Sequence, residues 1–300
     1  MTTKPFATLD VFCERRFAGN PLAIVEDADG LDDEVMQAVA AEFGLSETVF
    51  LQTATREGCD VRARIFTPTT ELPFAGHPTI GTALYLVRDG GLLARAATVI
   101  LDEAAGPVPV VIDPATRVAT LTAPARPETG PAPVRVDEAA AMVGLTAGDL
   151  DGDPQIASAG NPFLVVKLRT VDAVSRAEPD VAVIREVEDR DPAVPMIFVW
   201  AEVSEGVVRA RMFAPTRGIA EDPATGSAAA ALGAVVAQGL PDGTHRWLVT
   251  QGEEMSRPSQ LHLAVDVEEG QALVTRVGGS AVVVTTGVIE LSDDTSGADR

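Results

Sequence analysis

Short apolar runs separated by turn-forming residues dominate the chain. Thr8–Phe12, Leu22–Val25, Thr48–Leu51 and Val61–Phe66 are four to six residues long and rich in β-branched and aromatic side chains, which predicts strands. The stretch "LDDEVMQAVAAEFG" has a different period. It sets Val35, Met36, Val39, Ala40 and Phe43 at helical spacing, with Asp residues ahead of them and Gly44 after, and so predicts one amphipathic helix. In the second half the corresponding strands are Phe163–Leu168, Met196–Ala201 and Val208–Phe213. Helices open at Pro78 and Pro223, and from Leu261 onward the pattern alternates like strands. Residues 291–300 form a polar tail with the composition of a disordered segment.

The two halves repeat one another. "VRARIFTP" at Val61–Pro68 returns as "VRARMFAP" at Val208–Pro215, with six of eight positions identical. "HPTIGTA" from His77 lies against "DPATGSA" from Asp222, and "GNPLAIV" from Gly19 against "GNPFLVV" from Gly160. Three blocks in one order, at nearly constant spacing, mark an internal duplication. A Pro-rich stretch, Ala123–Val136, is the linker that patterning suggests, giving an N-terminal half at 1–125 and a C-terminal half at 126–290. A crossing of the final strand back to the first half is left open by the pattern. A length of 300 residues agrees with two domains, since one core stops growing near ~250–300 residues.

Composition narrows the function. Hydrophobic residues make up 46% but aromatic ones only 4%, so the core must be built from Ala, Val, Leu and Ile. Lys and Arg number 23 against 44 Asp and Glu, a net charge of −21 that argues against a nucleic-acid partner. Apolar runs fall far short of the ~18 residues of a membrane span, and the N-terminus lacks the apolar core of a signal peptide, so a soluble, cytoplasmic protein is expected. Cys13 and Cys59 stand alone, which speaks against a disulfide framework or a zinc site.

Chemistry concentrates at the two repeated junctions, where a strand and a turn lead to a polar residue, a proline and a run of small residues. Proline suits the first helical position, so His77 and Asp222 are expected as N-caps, a role Asp fills well and His poorly. Gly81 and Gly226 are read as lying in the first helical turn despite a cost of about 1 kcal/mol each relative to Ala. Two accounts fit. Either the helices pack closely on their sheets, or the missing Cβ lets an anion approach the helix start. On the second account, two such starts related by the duplication bracket one small acid in a cleft between the halves. Glu47 has no twin: its counterpart is Val194. A carboxyl at the edge of an apolar strand is either a solvated strand end or a group whose pKa is raised toward neutrality for acid–base work.

Five segments together, "DVFCERRFAGNPLAIV", "LSETVFLQ", "IFTPTTELPFAGHPTIGTA", "AGNPFLVV" and "RMFAPTRGIAEDPATGSAAAAL", resemble the phenazine-biosynthesis PhzF-like family of the diaminopimelate-epimerase-like superfamily. The resemblance covers about residues 5–290. It implies an α+β fold of two pseudo-symmetric domains, each a curled, mostly antiparallel sheet around a central helix, and a homodimer. It implies that Glu47 is the general acid/base, with Ser46 beside it, and that His77 and Asp222 protonate or orient the substrate. Gly76, Gly226 and Ser227 would hold a substrate carboxylate, with no metal or organic cofactor. The reaction implied is isomerisation of trans-2,3-dihydro-3-hydroxyanthranilate or a similar small anionic substrate. Two other readings remain open. The superfamily's racemases and epimerases use paired cysteines, but here the duplicated positions hold His77 and Asp222. A metabolite-binding protein without catalysis is the third reading.

Overall fold

The structure is a computed structural model, and it describes residues 2–192, 194 and 196–291. The chain forms two compact units: the first takes residues up to Phe17, Pro21–Ala119 and the segment from Ser280 on, and the second takes Ala18–Asn20 and Thr120–Gly279.

In the first unit the strands are β1 (Thr2–Val11), β2 (Asn20–Val25, whose first residue, Asn20, belongs to the second unit), β3 (Glu47–Gln52), β4 (Val61–Phe66), β5 (Glu71–Leu72), β6 (Thr98–Glu103), β7 (Gly106–Ile112) and β18 (Ala281–Leu291), with helices α1 (Asp33–Phe43) and α2 (Gly76–Val87). β2 and β3 run parallel, joined by α1, and β4 and β6 run parallel, joined through α2, because a parallel pair needs a crossover long enough to return the chain. The pairs β1–β18, β3–β4, β4–β5 and β6–β7 are antiparallel. Of the polar tail, Leu291 ends β18 opposite Thr2, and 292–300 lie outside the described residues.

The second unit contains β8 (Ala119–Thr122), β9 (Glu128–Pro131), β10 (Gln155–Ser158), β11 (Pro162–Lys167), β12 (Met196–Ser204), β13 (Val207–Ala214), β14 (Ile219–Asp222), β15 (Gly243–Gln251), β16 (Ser259–Glu268) and β17 (Gln271–Gly279), with helices α3 (Val136–Met142), α4 (Val171–Arg176), α5 (Val181–Arg190) and α6 (Gly226–Val236). Its pairing repeats the first unit. β11 and β12 are parallel across α4 and α5, β12 and β13 antiparallel, β13 and β15 parallel across α6, and β15 and β16 antiparallel. The sequence repeat is therefore a repeat of topology. Within the Pro-rich stretch, Glu128–Pro131 forms β9 and pairs with β10.

α1 is held by its ends. Asp32 accepts a hydrogen bond from the Val35 N–H at 2.9 Å, and Gly44 stops the helix at φ 61°, a left-handed conformation natural to glycine. α2 and α6 are apolar nearly all round, the pattern of helices enclosed by protein. All residues of α2 from His77 to Val87 are buried, and α2 packs against β1, β3, β4, β6, β7 and β18. α6 is likewise buried, against β9, β10, β11, β16 and β17. Among the described residues no helix is long and apolar enough to cross a membrane.

Close packing explains Gly81. It is the sixth residue of α2, beyond the first turn, and a Cβ there would lie 2.6 Å from Leu22 Cδ2 and 2.7 Å from Val11 Cγ2. Gly233 plays the same part in α6, where a Cβ would meet Thr275 Cγ2 at 2.5 Å.

Candidate active site

β3 begins at Glu47, directly after Ser46, and the apolar residues that follow draw its first side chain inward. The Glu47 side chain is only 16% exposed and His77 6%, and His77 Nδ1 lies 3.3 Å from Glu47 Oε2. Burial pushes the Glu47 carboxyl up to about 7, against a lowering hydrogen bond from Ser46. A carboxyl poised there is found both ionised and protonated near neutral pH, which suits a group that takes a proton and gives it back.

His77 is not the N-cap of α2. Ala75 is, in extended conformation and with no side-chain capping bond, and the Thr79 N–H bonds the Ala75 carbonyl at 3.3 Å. The helix thus begins at Gly76, with His77 second and Pro78 third, where proline's missing N–H is still harmless. Placing His77 inside the first turn, rather than before it, is what brings its ring to Glu47. Ser46, Glu47, Gly76 and His77 therefore gather in the first unit.

Asp222 is not an N-cap either. It ends β14, where the following Pro223 favours extended backbone, and α6 starts at Gly226 behind Thr225, again with no side-chain capping bond. The Asp222 carboxyl has other partners: Oδ1 accepts from Asn20 Nδ2 at 2.8 Å, and Oδ2 accepts from the Thr225 hydroxyl at 2.6 Å. Gln251, fully buried, fixes the same turn by donating from Nε2 to the Asp222 carbonyl at 2.7 Å and accepting the Thr225 N–H on Oε1 at 3.2 Å. Gly226 is buried and Ser227 half-buried at the start of α6. Asp222, Gly226 and Ser227 thus gather in the second unit. Both helix starts offer main-chain N–H groups and a favourable dipole to an anion, and neither is covered by a capping side chain.

Three polar residues were missed. Asn20 is 1% exposed and also donates to the Ala224 carbonyl at 2.9 Å. Its signal was the repeated "GNP" block, read as a mark of duplication and not for its side chain; the equivalent Asn161 is exposed. Gln251 and Glu103 each close an apolar strand with a buried polar group, a placement visible only as "LVTQ" and "VILDE". Among the described residues Cys13 and Cys59 are not joined in a disulfide, and no group of metal-ligating residues occurs.

A duplicated α+β unit with a strand-wrapped central helix defines the diaminopimelate-epimerase-like class of folds. Within that class the chain belongs to the phenazine biosynthesis-like protein family, whose model matches residues 9–287. An uncharacterized isomerase of Mesorhizobium japonicum is 37% identical over 96% of this chain and 99% of its own length. The trans-2,3-dihydro-3-hydroxyanthranilate isomerase of Pseudomonas aeruginosa is 30% identical over 94% of this chain and 98% of its own. Among solved structures, a phenazine biosynthesis protein of the PhzF family from Bacillus anthracis superposes with a TM-score of 0.87 at 29% identity, covering 97% of this chain and all of that one. By family the chain is an isomerase.

Proposed function

We propose that the enzyme moves a proton between carbons of a small, carboxylate-bearing cyclic substrate similar to trans-2,3-dihydro-3-hydroxyanthranilate, without metal or organic cofactor. The observation that carries this reading is the buried Glu47 carboxyl, raised to about 7 and set against His77. Ionised Glu47 takes a proton from one ring carbon, the electron pair it leaves moves through the conjugated system, and the carboxylic acid so formed returns the proton to a second carbon. Glu47 ends as it began. One carboxyl serving both carbons accounts for its lack of a duplicated twin. His77 and Asp222 orient the substrate and share its protons, while Ser46, Gly76, Gly226 and Ser227 hold its carboxylate. As part of the same proposal the enzyme acts as a cytoplasmic homodimer. The name of the Pseudomonas aeruginosa relative supports the substrate.

The experiment follows dihydrohydroxyanthranilate in deuterated buffer with the native enzyme and with Glu47→Gln. Conversion by the native enzyme and a loss of about 10²- to 10⁴-fold in the variant are expected for removal of a general acid/base. Equal turnover by both removes Glu47 from the mechanism, and no conversion by the native enzyme rejects the substrate.

A further inference from the structure

Thr79, two residues after His77 in α2, has more hydrogen-bond contacts than it has protons to give. Its hydroxyl oxygen lies 2.7 Å from the Ala75 carbonyl and 2.6 Å from Glu103 Oε1. A hydroxyl carries one hydrogen and a carbonyl carries none to donate, so both contacts are hydrogen bonds only if the proton of the second comes from Glu103. With Glu103 ionised, either the helix-start carbonyl or the carboxylate would face the hydroxyl lone pairs at contact distance. The surroundings point the same way. Glu103 is 1% exposed, and its second oxygen is buried with no hydrogen-bond partner among the described residues, a setting very costly for an ionised carboxylate.

The duplication supplies an independent comparison. Val61 and Val208 are equivalent in the sequence repeat; Val61 pairs with Leu101 of β6, and Val208 with Val249 of β15. Two residues further on, each strand ends, at Glu103 and at Gln251. Gln251 is also fully buried and also holds the start of its unit's central helix, through Thr225. A carboxamide and a neutral carboxylic acid match in shape, and each offers a donor and an acceptor; a carboxylate offers acceptors alone.

We propose that Glu103 is a neutral carboxylic acid that donates to Thr79 and fixes the first turn of α2, acting for His77 as a positioning residue in the way Gln251 acts in the second unit. Burial opposes ionisation of Glu103, pushing it up to about 8 against the lowering effect of the Thr79 bond. The charged and titratable groups on the elements packed around it are His77 and Tyr85 of α2, Glu47 of β3, Arg62 and Arg64 of β4, and Asp102 of β6, which pairs with Arg56. Arg56 also donates to the Glu103 main-chain carbonyl at 2.5 Å. None of these charges contributes to the rise, which comes from burial.

The sign of the pH dependence is fixed by the raised value. The unfolded chain releases the Glu103 proton near 4.5, whereas the folded chain keeps it to about 8, so stability falls as pH rises through that interval and levels off above it. The test compares melting temperatures of the wild type and Glu103→Gln from ~pH 4 to ~pH 9. Glu103→Gln is expected to flatten the fall across this window, and the wild type, unlike the variant, is expected to lose kcat as pH rises through about 8. Parallel melting profiles, or a variant that is less stable at every pH, overturn the proposal. Infrared spectra of Glu47→Gln give a second reading that does not need the Glu103 variant to fold: a protonated carboxyl band at ~pH 7 is expected, and its absence overturns the proposal. The kcat arm rests on the function proposed above, whereas the melting and infrared arms do not. Failure of the substrate reading therefore leaves the Glu103 question decidable.

Discussion

Asn20 and Asp222, 202 positions apart in the sequence, are joined by a 2.8 Å hydrogen bond from amide to carboxyl. The same amide nitrogen reaches the Ala224 carbonyl, so one buried side chain fixes both the acid and the turn after it. Asn20→Ala leaves buried oxygens short of a donor, at a cost of about 1–3 kcal/mol that thermal denaturation will register. Under the proposed role of Asp222, turnover is expected to fall about tenfold to a hundredfold, since small misplacements of a group that orients the substrate are costly. Wild-type kcat with normal substrate affinity would show that the position of Asp222 does not matter.

Glu47 makes its own pH signature. Its folded value of about 7 exceeds the ordinary 4.5, so its contribution to stability is complete at low pH and is lost as pH rises from 4.5 to about 7. The loss amounts to roughly 3 kcal/mol, at 1.36 kcal/mol per unit. Activity runs the other way. In the proposed reaction the ionised form takes the first proton, so kcat/KM is expected to rise with pH to a midpoint near 7, and a pH–rate profile without that limb would contradict the proposed role.

Gly81→Ala sets helix propensity against packing. Alanine favours the helix by about 1 kcal/mol, but overfilling a packed contact costs about 1–3 kcal/mol. Contacts of 2.6 and 2.7 Å to Leu22 and Val11 make packing the larger effect. A lower melting temperature is expected, and an unchanged or higher one would mean that Leu22 and Val11 move aside easily.

Exhaustive dialysis against a chelator is expected to leave turnover unchanged, because every proton transfer in the proposed reaction is assigned to protein side chains. Loss of activity restored by a divalent cation would defeat the cofactor-independent reading.

Much of the architecture could be read from the chain because strand and helix periods are local, and because duplication wrote each crossover twice. Val61–Phe66 and Val208–Phe213 announced β4 and β13, and the small-residue runs announced α2 and α6. The helix starts were misplaced for a physical reason. Proline is tolerated throughout the first turn, so Pro78 does not fix where α2 begins, and Asp222 turns its carboxyl to Asn20 and Thr225 instead of to helix N–H groups. Asn20, Glu103 and Gln251 stayed hidden because their partners are set by tertiary pairing, which no local pattern encodes. Glu47 stood out in the sequence because it opens an apolar strand where the repeat has Val194.

The pairing of β18 with β1 also bears on the order of synthesis. Nearly all of the second unit lies in 120–279, so a ribosome has released most of that unit while the first still lacks its last strand. The half made first is thus the half completed last, and until Ala281–Leu291 emerges the β18-facing edge of β1 waits for a neighbour that chaperones or stray strands can occupy.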